Sequence, residues 1–568
     1  MTTMKLKLTL LLIVVLAAFL RFFYLEHNPA GFYSDEASYA YNAYSILESG
    51  RDEHGKAYPL VFEAFGDYKL PVMLYSIVGS FVAFGPSEWS ARVPGALYGS
   101  LTVILVFLFT KKIFTTYTEQ QELRKKASGI GLIAALFIAI SPSHIFVSRG
   151  TWELTPALFF ICLGAYCTLH VIESNTQKNS VRNALYTAGA AFSYILSMYS
   201  YNSARVFIPL FIIGIIVLFF KRSLYLIKQH KLVISTIIIA SIVLLLPILT
   251  TLTRPEVTQR AKYISIFYDL GVESKLFGDI KSDAATNTLV IRLFHNKPLY
   301  YLADFSQRYV SHFSPNFLFI TGDTFEIFKL VDLGFLPLLT APFLIFGFIK
   351  ILTVKEKWRG IILLWLILSP IASALTIFTP SSSRSMNMII PLAIMAAFGV
   401  VEAITYIQKK WKEPAILPAY AFFIALIIVN TAYVFNRYFI QTPKVVAEKW
   451  NDGFKETVEY MSKIEKNYDK IVISSAKAPS YIFYAWDMQY DPKKYQAEAV
   501  TDHTPDEHGL NFTSQFGKYY FTKDIASEIT NKNTNEKILF IGFPDEFKNE
   551  TRIIYSQNNK PVFILKEN

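Results

Sequence analysis

Charge is scarce in this chain. Asp, Glu, Lys and Arg make up 17% of its 568 residues, against roughly 25% in soluble domains, and 52% of the residues are hydrophobic. That balance argues against a soluble globular protein, and apolar runs of about 20 residues place the chain among polytopic membrane proteins. Cysteine is scarcer still. Cys162 and Cys167 are the only two and share one apolar run, so there is no disulfide framework or zinc motif and both read as small packing residues. The histidines are scattered: His144, His295 and His312 have no ligand spacing between them. No Walker sequence, dinucleotide fingerprint or internal repeat is present, which leaves ATP-driven transport and redox chemistry without support. No basic–aromatic repeat of an RNA-binding kind occurs either, so nucleic acid is not expected as a partner.

What the chain does have is apolar segments, eleven of them, at about 8–25, 92–110, 128–147, 155–172, 184–200, 206–220, 232–252, 333–349, 360–379, 388–407 and 415–436. Lys5 and Lys7 precede the first, as in a signal peptide. No small-x-small cleavage pattern follows, however, and Arg21-Phe22-Phe23-Tyr24 reads as an interfacial belt, so an uncleaved first helix is expected. With a cytoplasmic N-terminus, the inner segments are 1–7, 111–127, 173–183, 221–231, 350–359 and 408–414. They hold 20 Lys/Arg and 5 Asp/Glu, a net of +15, while the whole chain nets +11. This positive-inside bias supports a multi-pass plasma-membrane protein with its C-terminus outside.

The outer face is built from loops 26–91 and 253–332, three short turns, and a tail from 437 to 568. Half-apolar stretches in loop 26–91 predict helices lying along the bilayer. Tyr309-Val310-Ser311-His312-Phe313 in loop 253–332 suits a lid over an outward cavity, and a packed interfacial loop equally well. In the tail, 444–466 reads as an amphipathic helix, and 470–474, 538–541 and 561–565 as strands, predicting a small extracytoplasmic α/β domain after a transmembrane domain spanning 1–436.

The outer turns carry the residues with chemical potential. Asp35 and Glu36 sit in Phe32-Tyr33-Ser34-Asp35-Glu36-Ala37, just past the first helix. They suit a helix cap or a base at the membrane surface. Lys69, in Asp67-Tyr68-Lys69-Leu70-Pro71, reads as a snorkelling boundary lysine or as a phosphate ligand. Arg149 and Glu153 occupy one turn at the i,i+4 spacing of a helical ion pair. Arg205 lies in Ser200-Tyr201-Asn202-Ser203-Ala204-Arg205 and Arg384 in Ser381-Ser382-Ser383-Arg384-Ser385. Either is a boundary arginine or a bidentate phosphate ligand, Arg384 being the more phosphate-like because it starts an outer helix. A divalent metal held through Asp35 is compatible with this set, but no His/Asp cluster supports one, and no cofactor is certain.

In this order, the five motifs resemble the integral-membrane glycosyltransferases of the GT-C superfamily. Most similar are the bacterial family-39 enzymes related to protein O-mannosyltransferases and lipid A aminoarabinose transferases, over roughly residues 5–436. The resemblance implies an inverting transferase that takes a sugar from a polyprenyl-phosphate donor. It makes Asp35, with Glu36 beside it, the candidate base and Glu153 a second acidic residue, a place often held by aspartate in the family. Lys69 is the residue implied to contact the donor phosphate, with Arg205, Arg384 and, more loosely, Arg149 as basic neighbours. The acceptor, a protein hydroxyl, a glycolipid or a wall polymer, stays open. A lipid-linked sugar translocase would favour charges inside the bundle and pseudo-symmetric halves, and an oligosaccharide ligase or polymerase a site on a long late loop. The charges here gather at the outer face, beginning with the first loop.

Overall fold

A computed structural model describes residues 3–173, 180–252, 262–283, 288–410, 416–502, 511–530, 536–547, 552–556 and 558–568. The chain opens with α1 (Thr3–Phe22), followed by two helices of loop 26–91, α2 (Ser34–Ser49) and α3 (Pro71–Phe84). Then come α4 (Glu88–Thr116), α5 (Gln121–Ala139), α6 (Pro142–Val147), α7 (Leu154–Glu173), α8 (Ser180–Met198), α9 (Asn202–Leu218), α10 (Phe220–Gln229) and α11 (Lys231–Leu252). Four further long helices follow: Ala341–Thr353, Lys357–Leu368, Ile389–Lys410 and Ile416–Phe435. Each apolar segment read from the sequence overlaps at least one of these helices, residue 415 lying outside the described residues, and the chain is a mostly helical, multi-pass membrane protein. Among the described residues, six helices are long and apolar enough to cross a bilayer by themselves, and α9 with α10, bent by 98°, makes a seventh.

Proline accounts for the boundaries that differ from expectation. Pro142 lacks a backbone N–H and holds Ser141 extended, with ψ at 125°, so the run at 128–147 is two helices. Helix in the 333–349 run starts only at Ala341, after Pro337, with Pro342 in its first turn. In the bundle core, Trp358 and Trp365 are fully buried and their rings lie 4.7 Å from Phe114 and 5.4 Å from Phe109. Two glycines bring backbones together: a Cβ on Gly347 would fall 2.1 Å from the carbonyl oxygen of Met395, and one on Gly399 2.0 Å from that of Phe343.

Loop 26–91 also contains a hairpin, β1 (Phe62–Ala64) and β2 (Asp67–Lys69). Its two turn residues, Phe65 and Gly66, both have positive φ, the geometry that matches strand twist in two-residue hairpins. The tail forms a seven-stranded sheet in the order β4-β5-β6-β3-β7-β9-β8. The strands are β3 (Lys470–Ser474), β4 (Val500–Asp502), β5 (Phe512–Phe516), β6 (Tyr519–Thr522), β7 (Ile538–Gly542), β8 (Arg552–Tyr555) and β9 (Pro561–Glu567). Strand β3 runs parallel to β6 and β7, and the other pairings are antiparallel. The amphipathic helix expected over 444–466 is broken, because Asn451 and Gly453 take positive φ before a helix resumes at Phe454–Ile464. Gly31 of the first loop fits against that break, where a Cβ would lie 2.3 Å from the Trp450 carbonyl oxygen.

Apolar packing does not divide at residue 436. Phe32, Tyr39, Tyr41, Phe62 and Phe65 from the first loop share one core with Phe454, Tyr481, Trp486 and Tyr495 from the tail. Ring contacts such as Phe32–Trp486 at 6.0 Å and Tyr41–Tyr495 at 5.3 Å cross the seam. Burying each such ring stabilises by about 1.5–3 kcal/mol, so loop 26–91 is also held against the tail, through its helices Phe454–Ile464, Ser480–Asp487 and Pro492–Glu498. Glu53 is buried in this loop beside the seam, its Oε1 accepting from Asn42 Nδ2 at 2.8 Å.

Candidate active site

The connection from α1 to α2 is fixed by buried arginines. Arg92 in α4 donates to the carbonyls of Leu25, Glu26, Pro29 and Gly31 at 2.6–3.2 Å and pairs with Glu36 at 2.8 Å, both side chains being wholly buried. Glu36 also accepts from the backbone N–H of Tyr33 at 3.3 Å and of Thr151 at 3.0 Å. One carboxylate therefore caps α2 and ties it to the turn at 148–153. Arg149 faces the same way, donating to the carbonyls of Leu20, Arg21, Tyr24 and Asn28 at 2.7–3.2 Å. The sequence expectation for these residues needs correction. Residues 148–153 are turn rather than helix, Arg149 is turned into the protein instead of pairing with Glu153, and Glu36 faces Arg92 instead of the outer cavity.

Asp35, the residue before Glu36, points the other way. It forms an ion pair with Lys69 at 3.2 Å, and Lys69 also lies 3.8 Å from Asp67. Burial by itself would lower the Lys69 ammonium, but Asp35, Asp67 and Glu153 together hold it above the usual lysine range. The first turn of α3 completes the group, with the N–H of Leu70 donating to Glu153 Oε1 at 2.9 Å and Tyr39 donating to the same oxygen. Burial pushes the Glu153 carboxyl up despite those donors and Lys69.

These residues line a cavity of about 510 Å³, with Arg384, Tyr201, Ser203 and aromatic rings including Trp152, Phe328 and Phe378. Arg384 reaches it from a serine turn held by two residues that the sequence did not single out for a role in the site. Buried Asp323 accepts from Ser382 N at 2.5 Å and Ser382 Oγ at 2.6 Å. His312, which burial lowers to about 4, is a neutral imidazole that accepts from Ser381 N at 3.4 Å and donates to the Arg308 carbonyl at 2.9 Å. Arg384 itself donates to Thr376 Oγ1 and the Phe378 carbonyl, each at 3.3 Å. Arg205 is not among the lining residues; its Nε donates to the Met198 carbonyl at 3.2 Å. Among the described residues, no group of three His, Cys, Asp or Glu is arranged to hold a metal ion.

Residues 11–259 match the family model described as dolichyl-phosphate-mannose-protein mannosyltransferase. The structure superimposes on ArnT from Cupriavidus metallidurans bound to undecaprenyl phosphate, with a TM-score of 0.53 at 12% identity over 98% of this chain and 97% of that one. The apo form of the same protein gives 0.52 at 11% identity, with the same coverage. The family match covers under half of the chain, and the likeness to ArnT, at 12% identity, is one of fold. No curated protein matches the chain in sequence. In this fold, Asp35, Lys69, Glu153 and Arg384, read from four separate motifs, meet in one cavity, whereas Glu36 and Arg149 support its walls. The missed partners Arg92 and Asp323 act through tertiary contacts that carry no local signal. Asp67 was in plain view beside Lys69, and its carboxylate there was the available clue.

Proposed function

We propose that this protein is an inverting glycosyltransferase that moves a sugar from a polyprenyl-phosphate donor to a hydroxyl acceptor on the outer side of the membrane, with the N-terminus inside and all eleven apolar helices embedded. The reading is supported chiefly by one observation: a carboxylate, Asp35, stands beside a half-buried lysine, Lys69, in a cavity that also receives Arg384. In this mechanism the donor phosphate binds Lys69 and Arg384, which hold negative charge in a partly water-excluded site. An arriving phosphate competes for Lys69 and loosens its grip on Asp35. The Asp35 carboxylate then takes the proton of the acceptor hydroxyl as its oxygen bonds to the anomeric carbon from the face opposite the phosphate. The bond from that carbon to the phosphate oxygen breaks, its electron pair leaves with polyprenyl phosphate, and the configuration inverts. Glu153, pinned by Tyr39 and Leu70, orients the acceptor or the sugar hydroxyls, and Arg205 contributes charge from behind the wall. The isoprenoid tail stays in hydrocarbon while the sugar reaches water. The deciding assay incubates purified protein with a radiolabelled polyprenyl-phosphate monosaccharide. Release of polyprenyl phosphate, lost in Lys69→Ala, supports the transferase; intact donor appearing across a vesicle membrane would mean translocation instead.

A further inference from the structure

The segment between α11 and the Ala341–Thr353 helix has two dissimilar sides. Helices Leu270–Ser282, Thr288–Phe294 and Lys297–Ser311 turn large apolar side chains outward: Leu270, Phe277, Leu293, Leu299 and Leu302 are each between 42% and 75% exposed. Patches of this kind mark a missing partner. On the Lys297–Ser311 helix, Leu299 and Leu302 share one face, while Tyr300, Asp304 and Arg308, at i,i+4 spacing, form another. That polar ridge is satisfied inward. Arg308 pairs with Asp304 at 2.6 Å and Asp269 at 2.9 Å and donates to the Ile377 carbonyl at 2.6 Å, and Tyr300 donates to Asp279 at 2.5 Å.

We propose that the outward side of this segment docks on the lipid of the outer leaflet, as an interfacial element rather than a free lid. Continuity decides for lipid as the occupant. Tyr309 donates to the carbonyl of Ile367 at 2.8 Å, and the Ile367 side chain is itself exposed on the apolar Lys357–Ala374 span. The backbone of Ile264 and Ile266 bonds to Ile377 and Leu375, just past that span. Exposed Tyr263, Phe267 and Tyr268 supply the aromatic girdle of a membrane boundary, and Lys281, one helical turn past Phe277, can snorkel to headgroups. Ile264 and Ser265 also line the cavity of the proposed reaction, so that cavity would open at headgroup level, where a lipid-linked donor arrives by lateral diffusion.

The docking assignment rests on the membrane-spanning reading, and one experiment separates the two. Cys162 and Cys167 are buried, so nitroxide labels go selectively to Phe277→Cys, Leu293→Cys and Leu302→Cys, with Leu244→Cys on the lipid-facing α11 as reference, in phosphatidylcholine–phosphatidylglycerol vesicles. Expected is a high collision rate with oxygen and a low one with a water-soluble nickel chelate at all four sites. Chelate access at 277, 293 and 302 with Leu244→Cys still oxygen-accessible would overturn the docking and keep the spanning reading. Low access to both probes at the three sites would overturn it in favour of a protein partner or a second copy. Chelate access at Leu244→Cys as well would overturn both.

Discussion

Arg92 and Arg149 lie behind loop 26–91 and Lys69 and Arg384 lie at its cavity, and the two pairs differ in what their donors meet. The buried pair donates to backbone carbonyls, four for each arginine, and Arg92 also to Glu36. At the cavity, Lys69 faces carboxylates, and among the described residues Arg384 makes two hydrogen bonds of 3.3 Å, to Thr376 and Phe378. Residue type and position beside the membrane are shared, so neither separates a supporting cation from one able to bind phosphate. The partners do. The same holds for the carboxylates: Glu36 is buried with an arginine, Glu53 is buried without one, and Asp35 stands part-exposed beside a lysine.

The largest effect expected from this contrast is on folding. Arg92→Met strands Glu36 in the protein interior, and breaking a buried pair from one side costs about 3–5 kcal/mol. Thermal denaturation of the detergent-purified variant should show a large fall in midpoint; an unchanged midpoint would break the distinction between supporting and functional cations. Glu53 comes next. Burial raises its carboxyl to about 7, from 4.5 in the unfolded chain. Between those values the unfolded state has released a proton that the fold retains, so stability falls as pH rises from about 4.5 to about 7, by roughly 3 kcal/mol. Glu53→Gln should flatten that part of the midpoint-against-pH curve. At the cavity the expected effect is on binding. Arg384→Ala removes hydrogen bonds to a charged group worth about 1.5–3 kcal/mol, raising the KM for donor about 10- to 100-fold with the midpoint unmoved. Arg205→Ala, outside the lining, should change donor KM by less than about threefold, within the range of an indirect charge. A loss as large as that of Arg384→Ala would make Arg205 a direct ligand.

Helices were legible because a bilayer demands runs of apolar residues long enough to cross it, and charge asymmetry orders the loops between them. Strands β3, β7 and β9 were legible because each buries at least three consecutive apolar residues; every residue of β7 is buried. Strands β4, β5, β6 and β8 were not, since no two consecutive residues in any of them are buried, and they read as mixed segments such as Phe512-Thr513-Ser514-Gln515-Phe516. In the site, Asp35, Lys69, Glu153 and Arg384 announce themselves as charges beside the membrane. Arg149 announces itself equally well and points inward, because the ion-pair spacing presumed a helix where the chain makes a turn. Arg92, Asp323 and His312 depend on partners distant in sequence, and periodicity says nothing of such contacts.

The assignment of Asp35 over Glu36 as the base is tested most directly by the single-turnover rate of Asp35→Asn with a polyprenyl-phosphate sugar, beside its thermal midpoint. The amide keeps size and shape and cannot take the proton, so the rate should fall about 10²- to 10⁴-fold with donor binding and midpoint near those of the parent, while Glu36→Gln should chiefly lower the midpoint. An Asp35→Asn enzyme that keeps most of its rate, with a stably folded Glu36→Gln enzyme that is inactive, would contradict the account.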